Sequence, residues 1–175
     1  MELTFLRHAK TDLNGKGFIA TNLDYPLNDL GKQKCAENIF VNGQFNSVYS
    51  SPFKRTIETA QIVYPYMNPI VTSLLTQRNL GELNEKKKID YDEQYLKLVR
   101  NYLVNPKDSE SLEHIIARLD IFFNYLKDNQ VESDNVLVVT HNGIMRIIKK
   151  YYLKEQAEID SDNLGQFQIT LKKPL

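Results

Sequence analysis

The run Val136-Leu-Val-Val-Thr140 sets four aliphatic residues in succession with no polar alternation. A strand of that composition is buried on both faces, as strands are in parallel sheets covered by helices on either side. The run therefore demands two helical layers. Glu2-Leu-Thr-Phe-Leu6 and Phe45-Asn-Ser-Val-Tyr49 supply further short strands, Ile70 to Leu75 another candidate, and Phe167 to Leu171 a last, edge strand. Helical patterns fall between them. Strands alternating with helices predict an α/β fold, a three-layer α/β/α sandwich with a largely parallel central sheet. No repeat or composition break divides residues 1–175, so a single domain is expected.

The helices carry ordinary boundary signals. Leu30 to Asn42 has Leu30, Cys35, Ile39 and Phe40 as its apolar positions and meets Gly43. A helix from Lys54 or Arg55 to about Tyr64 presents Ile57, Ala60, Ile62 and Val63 and is stopped by Pro65. The clearest helix runs from Leu112 to Leu126 with apolar residues at i, i+3, i+4 and i+7, and Ser109 or Ser111 is placed to cap it. Residues 90–103 set Tyr91, Tyr95, Leu98, Val99 and Tyr102 at helical spacing, a stripe expected to pack as core rather than to hold a cofactor. His114 is expected to be a surface or packing residue.

Composition narrows the function. Lys and Arg number 22 and Asp and Glu 22, so the chain is neutral. Nucleic-acid and membrane-surface binding usually need a basic excess, and neither partner is expected. Cys35 is the single cysteine, which fits a reducing compartment and a packing role within a helix. The three histidines (His8, His114, His141) show no metal-ligand spacing, and no metal or other cofactor is expected. Neither a secretory leader nor a run of ~18 apolar residues is visible, so a cytoplasmic location is expected.

The strand ends carry the chemistry. The first strand stops at Arg7-His8, the second leads through Ser50-Ser51-Pro52 to Arg55 at a helix start, and the central strand stops at His141. In a parallel sheet these ends share one edge, where open α/β folds bind ligands. Two guanidiniums and two imidazoles suit a compact dianion such as phosphate: arginine offers a planar donor fork whose charge cannot be lost. A histidine attacks phosphorus only when neutral, and neighbouring cations favour that form. The second histidine, protonated, is expected to donate to the phosphoryl oxygens. Taken singly, the arginines read equally well as surface ion-pair partners and the histidines as satisfied buried polar groups. From Thr11 to Asp29 the chain is a polar loop, longer than the usual ~4–6 residue connection, and it is expected to cover this site.

Five blocks, in order, resemble the histidine phosphatase superfamily, in its phosphoglycerate-mutase-like branch. They are Phe5-Leu-Arg-His-Ala-Lys-Thr11 with Asn14, Asp24-Tyr-Pro-Leu27, Ser50-Ser-Pro-Phe-Lys-Arg-Thr-Ile-Glu-Thr-Ala60, Glu110-Ser-Leu-Glu-His-Ile-Ile-Ala-Arg118 and Val138-Val-Thr-His-Asn-Gly-Ile-Met-Arg146. The resemblance implies a phosphohistidine intermediate, with His8 as nucleophile and Arg7, Arg55 and His141 completing the phosphate pocket. It places Asn14 and Thr21 near the substrate. The implied partner is a small phosphorylated metabolite or phosphate ion; oligomeric state is not readable.

Two positions depart from the family pattern. Ala9 stands where glycine usually follows the histidine, which is tolerated if φ stays negative. Gln77, in Leu75-Thr-Gln-Arg-Asn-Leu-Gly81, stands where the family's proton-donating glutamate is typical. Glutamine binds substrate or water but cannot protonate a leaving group, which leaves Glu82 as a candidate acid. The expected function is a phosphomonoesterase, with reduced activity if no acid replaces Gln77. The alternative is a phospho-ligand binding or regulatory protein with weak or lost catalysis. A mutase is less expected, because phosphoglycerate mutases are usually longer.

Overall fold

Alternation along two neighbouring strands decides which helix covers which face. In the computed structural model, which describes residues 1–14, 16–19, 22–154 and 163–172, β1 (Glu2–Arg7) lies beside β4 (Asn135–Thr140). The two run parallel in register, Leu3 opposite Val136 and Arg7 opposite Thr140. Leu3, Phe5, Val136 and Val138 face α4 (Leu112–Asn129) and α5 (Asn142–Ile147). Leu6, Leu137 and Val139 face α1 (Asp29–Ala36) and α2 (Lys54–Val63). Every residue from Val136 to Val139 is fully buried. At ~1.5–3 kcal/mol for each fully buried aliphatic side chain, this strand anchors both cores.

The five-stranded sheet has the order β3-β2-β4-β1-β5. β2 (Ser47–Ser50) and β3 (Ile70–Val71) are parallel to β4. β5 (Gln166–Thr170) closes the far edge antiparallel to β1. The expected sandwich and largely parallel sheet are therefore found, and β4 is central, as its composition requires.

Three elements are shorter than their sequence patterns. α1 ends at Ala36 rather than Asn42. There the Asn38 side chain donates to the Lys34 carbonyl (2.8 Å), and Phe40 leaves the helical path to pair its N–H with the Val63 carbonyl (2.8 Å) and set its ring edge-on to Phe45. β3 stops after two residues because the Thr72 hydroxyl accepts from the Leu74 N–H and starts a 3-10 turn at Ser73–Leu75 that buries Leu75. α3 occupies only Glu93–Arg100. Of its tyrosine-rich stripe only Val99 is buried. Tyr91 and Tyr95 stack at the margin of a small third cluster formed with Ile19 and Leu83. The stripe thus packs as core in two places: Val99, Tyr91 and Tyr95 belong to the satellite cluster, and Tyr102 packs against the main one. Ser111 is the cap of α4, and His114 is a surface residue 3.2 Å from Glu110.

Among the described residues no helix is long and apolar enough to cross a membrane.

Candidate active site

The sheet order sets β4 between β1 and β2, so the residues just past three strand ends converge. The His8 N–H donates to the Thr140 carbonyl (3.0 Å) and the Ser51 N–H to the Val139 carbonyl (3.2 Å), which carries the inter-strand register one step beyond the strands. A cavity of about 300 Å³ opens there, lined by Arg7, His8, Asn14, Arg55, Gln77 and His141 among others. The expected loop covers it: Phe18, Leu23 and Tyr25 are also lining residues. That loop is fastened to α2. Asp24 accepts from the Lys54 N–H (2.6 Å), the Leu23 carbonyl from Arg55 Nη1 (2.7 Å), and Glu58 from the Leu27 N–H (2.8 Å).

The proton on His8 is placed by its neighbour. Nδ1 lies 2.7 Å from the Ala9 carbonyl oxygen. A carbonyl only accepts, so Nδ1 carries the hydrogen and the lone pair is on Nε2. Burial, then the charge of Arg55 and that of Arg7, push the His8 pKa down to about 3 against the opposing pull of the Ala9 carbonyl. The ring is therefore neutral at pH 7. Ala9 is fully buried, donates its N–H to Thr59 Oγ1 (3.0 Å) and keeps a negative φ, so it meets the condition for replacing glycine.

His141 is held by a different chain of contacts. The Thr56 hydroxyl can donate to the Phe53 carbonyl (2.7 Å), which leaves the Ser51 hydroxyl as donor in the Ser51–Thr56 contact (2.8 Å). Ser51 Oγ then accepts from His141 Nε2 (2.7 Å), and His141 Nδ1 faces Arg55 Nη2 at 3.5 Å. Burial first, then Arg55 and His8, keep this imidazole well below its ordinary pKa. The surroundings thus favour the neutral form rather than the expected protonated donor; a dianion beside it would act in the opposite sense. The two rings meet edge-on with centroids 5.3 Å apart.

Arg55 sits in the first turn of α2 over the Phe53 ring, 4.3 Å from its centroid. Burial lowers its pKa to about 10, with Asp24 opposing, so the guanidinium stays charged. A charged arginine at a helix N-terminus is a favourable anion site.

A family model for the histidine phosphatase superfamily (branch 1) matches residues 3–171. The chain belongs to that superfamily. A phosphoglycerate mutase-like protein of Arabidopsis thaliana is 30% identical over 83% of this chain and 68% of its own length. A putative phosphoserine phosphatase of Hydrogenobacter thermophilus is 26% identical over 97% of this chain and 89% of its own. Among solved structures, a mycobacterial glucosyl-3-phosphoglycerate phosphatase superposes with a TM-score of 0.84 at 24% identity, covering 95% of this chain and 91% of that one, which speaks to the fold.

Within this histidine phosphatase fold the remaining sequence candidates divide. Asn14 lines the cavity, with its Oδ1 accepting from the Thr11 N–H (2.8 Å) and hydroxyl (3.1 Å). Thr21 lies outside the described residues. Gln77 lines the cavity, packed against Gly143, and its Oε1 is buried without a hydrogen-bond partner. Glu82, the candidate acid, is not at the site. Gly81 turns the chain at φ +56 against the Lys107 carbonyl, and Glu82 Oε1 accepts from the Lys107 N–H (3.4 Å). No carboxylate lines the cavity among the described residues.

Sequence reasoning missed two buried arginines that hold the Gln77 segment. Arg118 pairs with Glu110 (2.8 Å) and donates to the Leu74 and Thr76 carbonyls. Arg78 donates to the Glu110 and Val99 carbonyls (2.9 and 2.7 Å) and to Asn105 Oδ1 (2.7 Å). Glu110 and Arg118 both lie in one of the family-like blocks, so that block was the available signal for the first. Arg78 had none.

Proposed function

We propose that this chain is a phosphatase that hydrolyses a small phosphorylated substrate through a phosphohistidine on His8. The observation that carries the reading is the Nδ1–H to Ala9 carbonyl bond on a buried, neutral imidazole beside two guanidiniums. Nε2 attacks phosphorus, the N–P bond forms, and the bond to the leaving oxygen breaks. Arg7 and Arg55 take up the charge on the three remaining oxygens, and His141 joins them as a donor through Nδ1 only when it takes up a proton, which the dianion favours. Water then attacks the phosphohistidine, phosphate departs, and His8 is restored. The phosphatase names among the relatives support this reading.

Because Gln77 stands at the acid position, protonation of the leaving group falls to water. Loss of a general acid costs ~10²–10⁴-fold, so substrates with good leaving groups such as acyl phosphates and phosphoramidates are favoured. The same absence of a carboxylate supports the second reading, a phospho-ligand binding protein with little turnover.

One variant separates the two. His8→Ala is expected to abolish acid-labile phosphorylation of the protein and release of p-nitrophenol from p-nitrophenyl phosphate. Turnover by the wild type that persists in His8→Ala would falsify the covalent route. Wild-type phosphate binding without any turnover would favour the binding protein.

A further inference from the structure

A second cavity of about 250 Å³ adjoins the first, and Phe18, Gln77, Lys88 and Asn142 line both. Its character differs. Ile19, Leu83 and Val99, all buried, and the half-buried Leu80 and Leu96 give it an apolar floor, while Arg100 and Arg146 stand on its wall. The ion pairs among the described residues are Lys34–Glu37, His114–Glu110 and Arg118–Glu110, so neither of these arginines has a carboxylate partner there. Arg78 also lines the cavity, but each of its three guanidinium nitrogens already donates to the chain.

The backbone supports a ligand role. Tyr102 follows α3 at φ +63, where a helix end normally places glycine, and Leu103 N–H reaches back to the Leu98 carbonyl (3.0 Å). A bulky residue in that conformation is strained by ~1–3 kcal/mol, and such strain clusters at ligand sites. The phenol ring it delivers lies 4.4 Å from the Arg78 guanidinium and forms part of the cavity wall.

We propose that the second cavity seats the non-phosphate part of the substrate, and that the substrate is an organic phosphate whose apolar body ends in a second anionic group. The inference rests on the phosphatase reading for the position of the phosphoryl group. The apolar body lies on Leu83, Leu96 and Val99, the distal anion meets Arg100 and Arg146, and the bridging atoms pass Gln77 and Asn142. An apolar packing hollow would have no use for two arginines that no carboxylate among the described residues pairs; a purely polar sugar phosphate would have no use for the floor.

The test compares phenyl phosphate, 4-carboxyphenyl phosphate and glycerol 2-phosphate as substrates. In the wild type, kcat/KM is expected to be highest for 4-carboxyphenyl phosphate and lowest for glycerol 2-phosphate. In Arg100→Gln/Arg146→Gln the ratio of 4-carboxyphenyl to phenyl phosphate should fall roughly 10- to 100-fold, the scale of a lost charge-assisted hydrogen bond. Arg100→Gln alone, at an exposed position, should lower the ratio in the same direction and guards against misfolding of the double variant. Calorimetry with 4-carboxyphenylphosphonate and phenylphosphonate, which resist hydrolysis, gives the matching affinity ratio without turnover. An affinity ratio that falls in the variant while no ester is hydrolysed would support the cavity assignment and count against the phosphatase reading. A ratio unchanged in both assays overturns the inference, whatever the turnover.

Discussion

The two walls of the site are built by different means. One wall is the sheet edge, where His8, Ser51 and His141 follow directly on strands whose register is fixed by consecutive backbone hydrogen bonds. The other is a stretch of 3-10 turns and short helix from Gln77 to Arg100, held by Arg78 and Arg118 bonding to carbonyls and by a three-residue buried cluster. Position is set to the precision of a sheet on the first wall and by side-chain struts on the second. Chemistry common to every phosphoryl transfer belongs on the first kind of wall, and recognition of a particular molecule on the second.

The strongest way to break that contrast is on the sheet side. Arg55→Gln removes a charged fork from a buried helix start, and kcat/KM for p-nitrophenyl phosphate is expected to fall ~10²–10³-fold, the usual effect of losing one oxyanion donor. A fall of less than tenfold in a folded variant would mean that Arg55 is structural, bracing Leu23 over the cavity.

The sheet side also predicts an acid sensitivity. His8 binds a proton near pH 6.5 when unfolded but only near pH 3 when folded. Its contribution to stability is therefore full above pH 6.5 and is lost as the pH falls from 6.5 towards 3. The slope is about 1.4 kcal/mol per pH unit for each such histidine. His141 is shifted in the same direction. Denaturant unfolding at pH 7.5, 6 and 5 is expected to show a shallower pH slope for His8→Asn than for the wild type. Parallel curves would show that His8 titrates normally in the folded protein.

The difference between the walls also explains what was legible in the sequence. Arg7-His8, Arg55 and His141 were visible because each follows a short apolar run by no more than a few residues, and a parallel sheet brings such ends together. α4 was visible from its own periodicity. The early end of α1 was not, because Phe40 leaves the helix to reach Phe45 and Val63, partners outside its window. Nor were the roles of Arg78 and Arg118, since arginines that donate to backbone carbonyls leave no pattern in the partner's sequence. The second cavity joins Ile19, Leu83, Val99 and Arg146, four segments with no local relation. Glu82 was misplaced because the Gly81 turn, packed on Lys107, directs it away from the cavity.

The walls meet at Gln77, and two substitutions probe the junction. Gln77→Glu supplies a group that can hold a proton, and is expected to raise kcat/KM roughly 10- to 100-fold for alkyl phosphates, within the range of general-acid catalysis. The gain for p-nitrophenyl phosphate should be much smaller, because that leaving group needs little protonation. Equal gains on both would count against the need for an acid at position 77.

The smaller effect comes from the other side of the contact. A Cβ added at Gly143 would lie 2.8 Å from Gln77 Nε2 and 3.0 Å from Oε1. That is too close, but the atoms in the way are the far end of a flexible side chain, so Gln77 can move. Gly143 lies within α5, where alanine is favoured over glycine by ~0.5–1 kcal/mol. Gly143→Ala is therefore expected to leave the unfolding free energy unchanged or slightly raised. The displaced amide should raise KM a few-fold through lost contacts worth about 1 kcal/mol, while phosphorylation of His8 by a small phosphodonor persists. If stability falls by more than ~2 kcal/mol instead, the junction is rigid, and the wall carrying Gln77 is held as firmly as the sheet edge it faces.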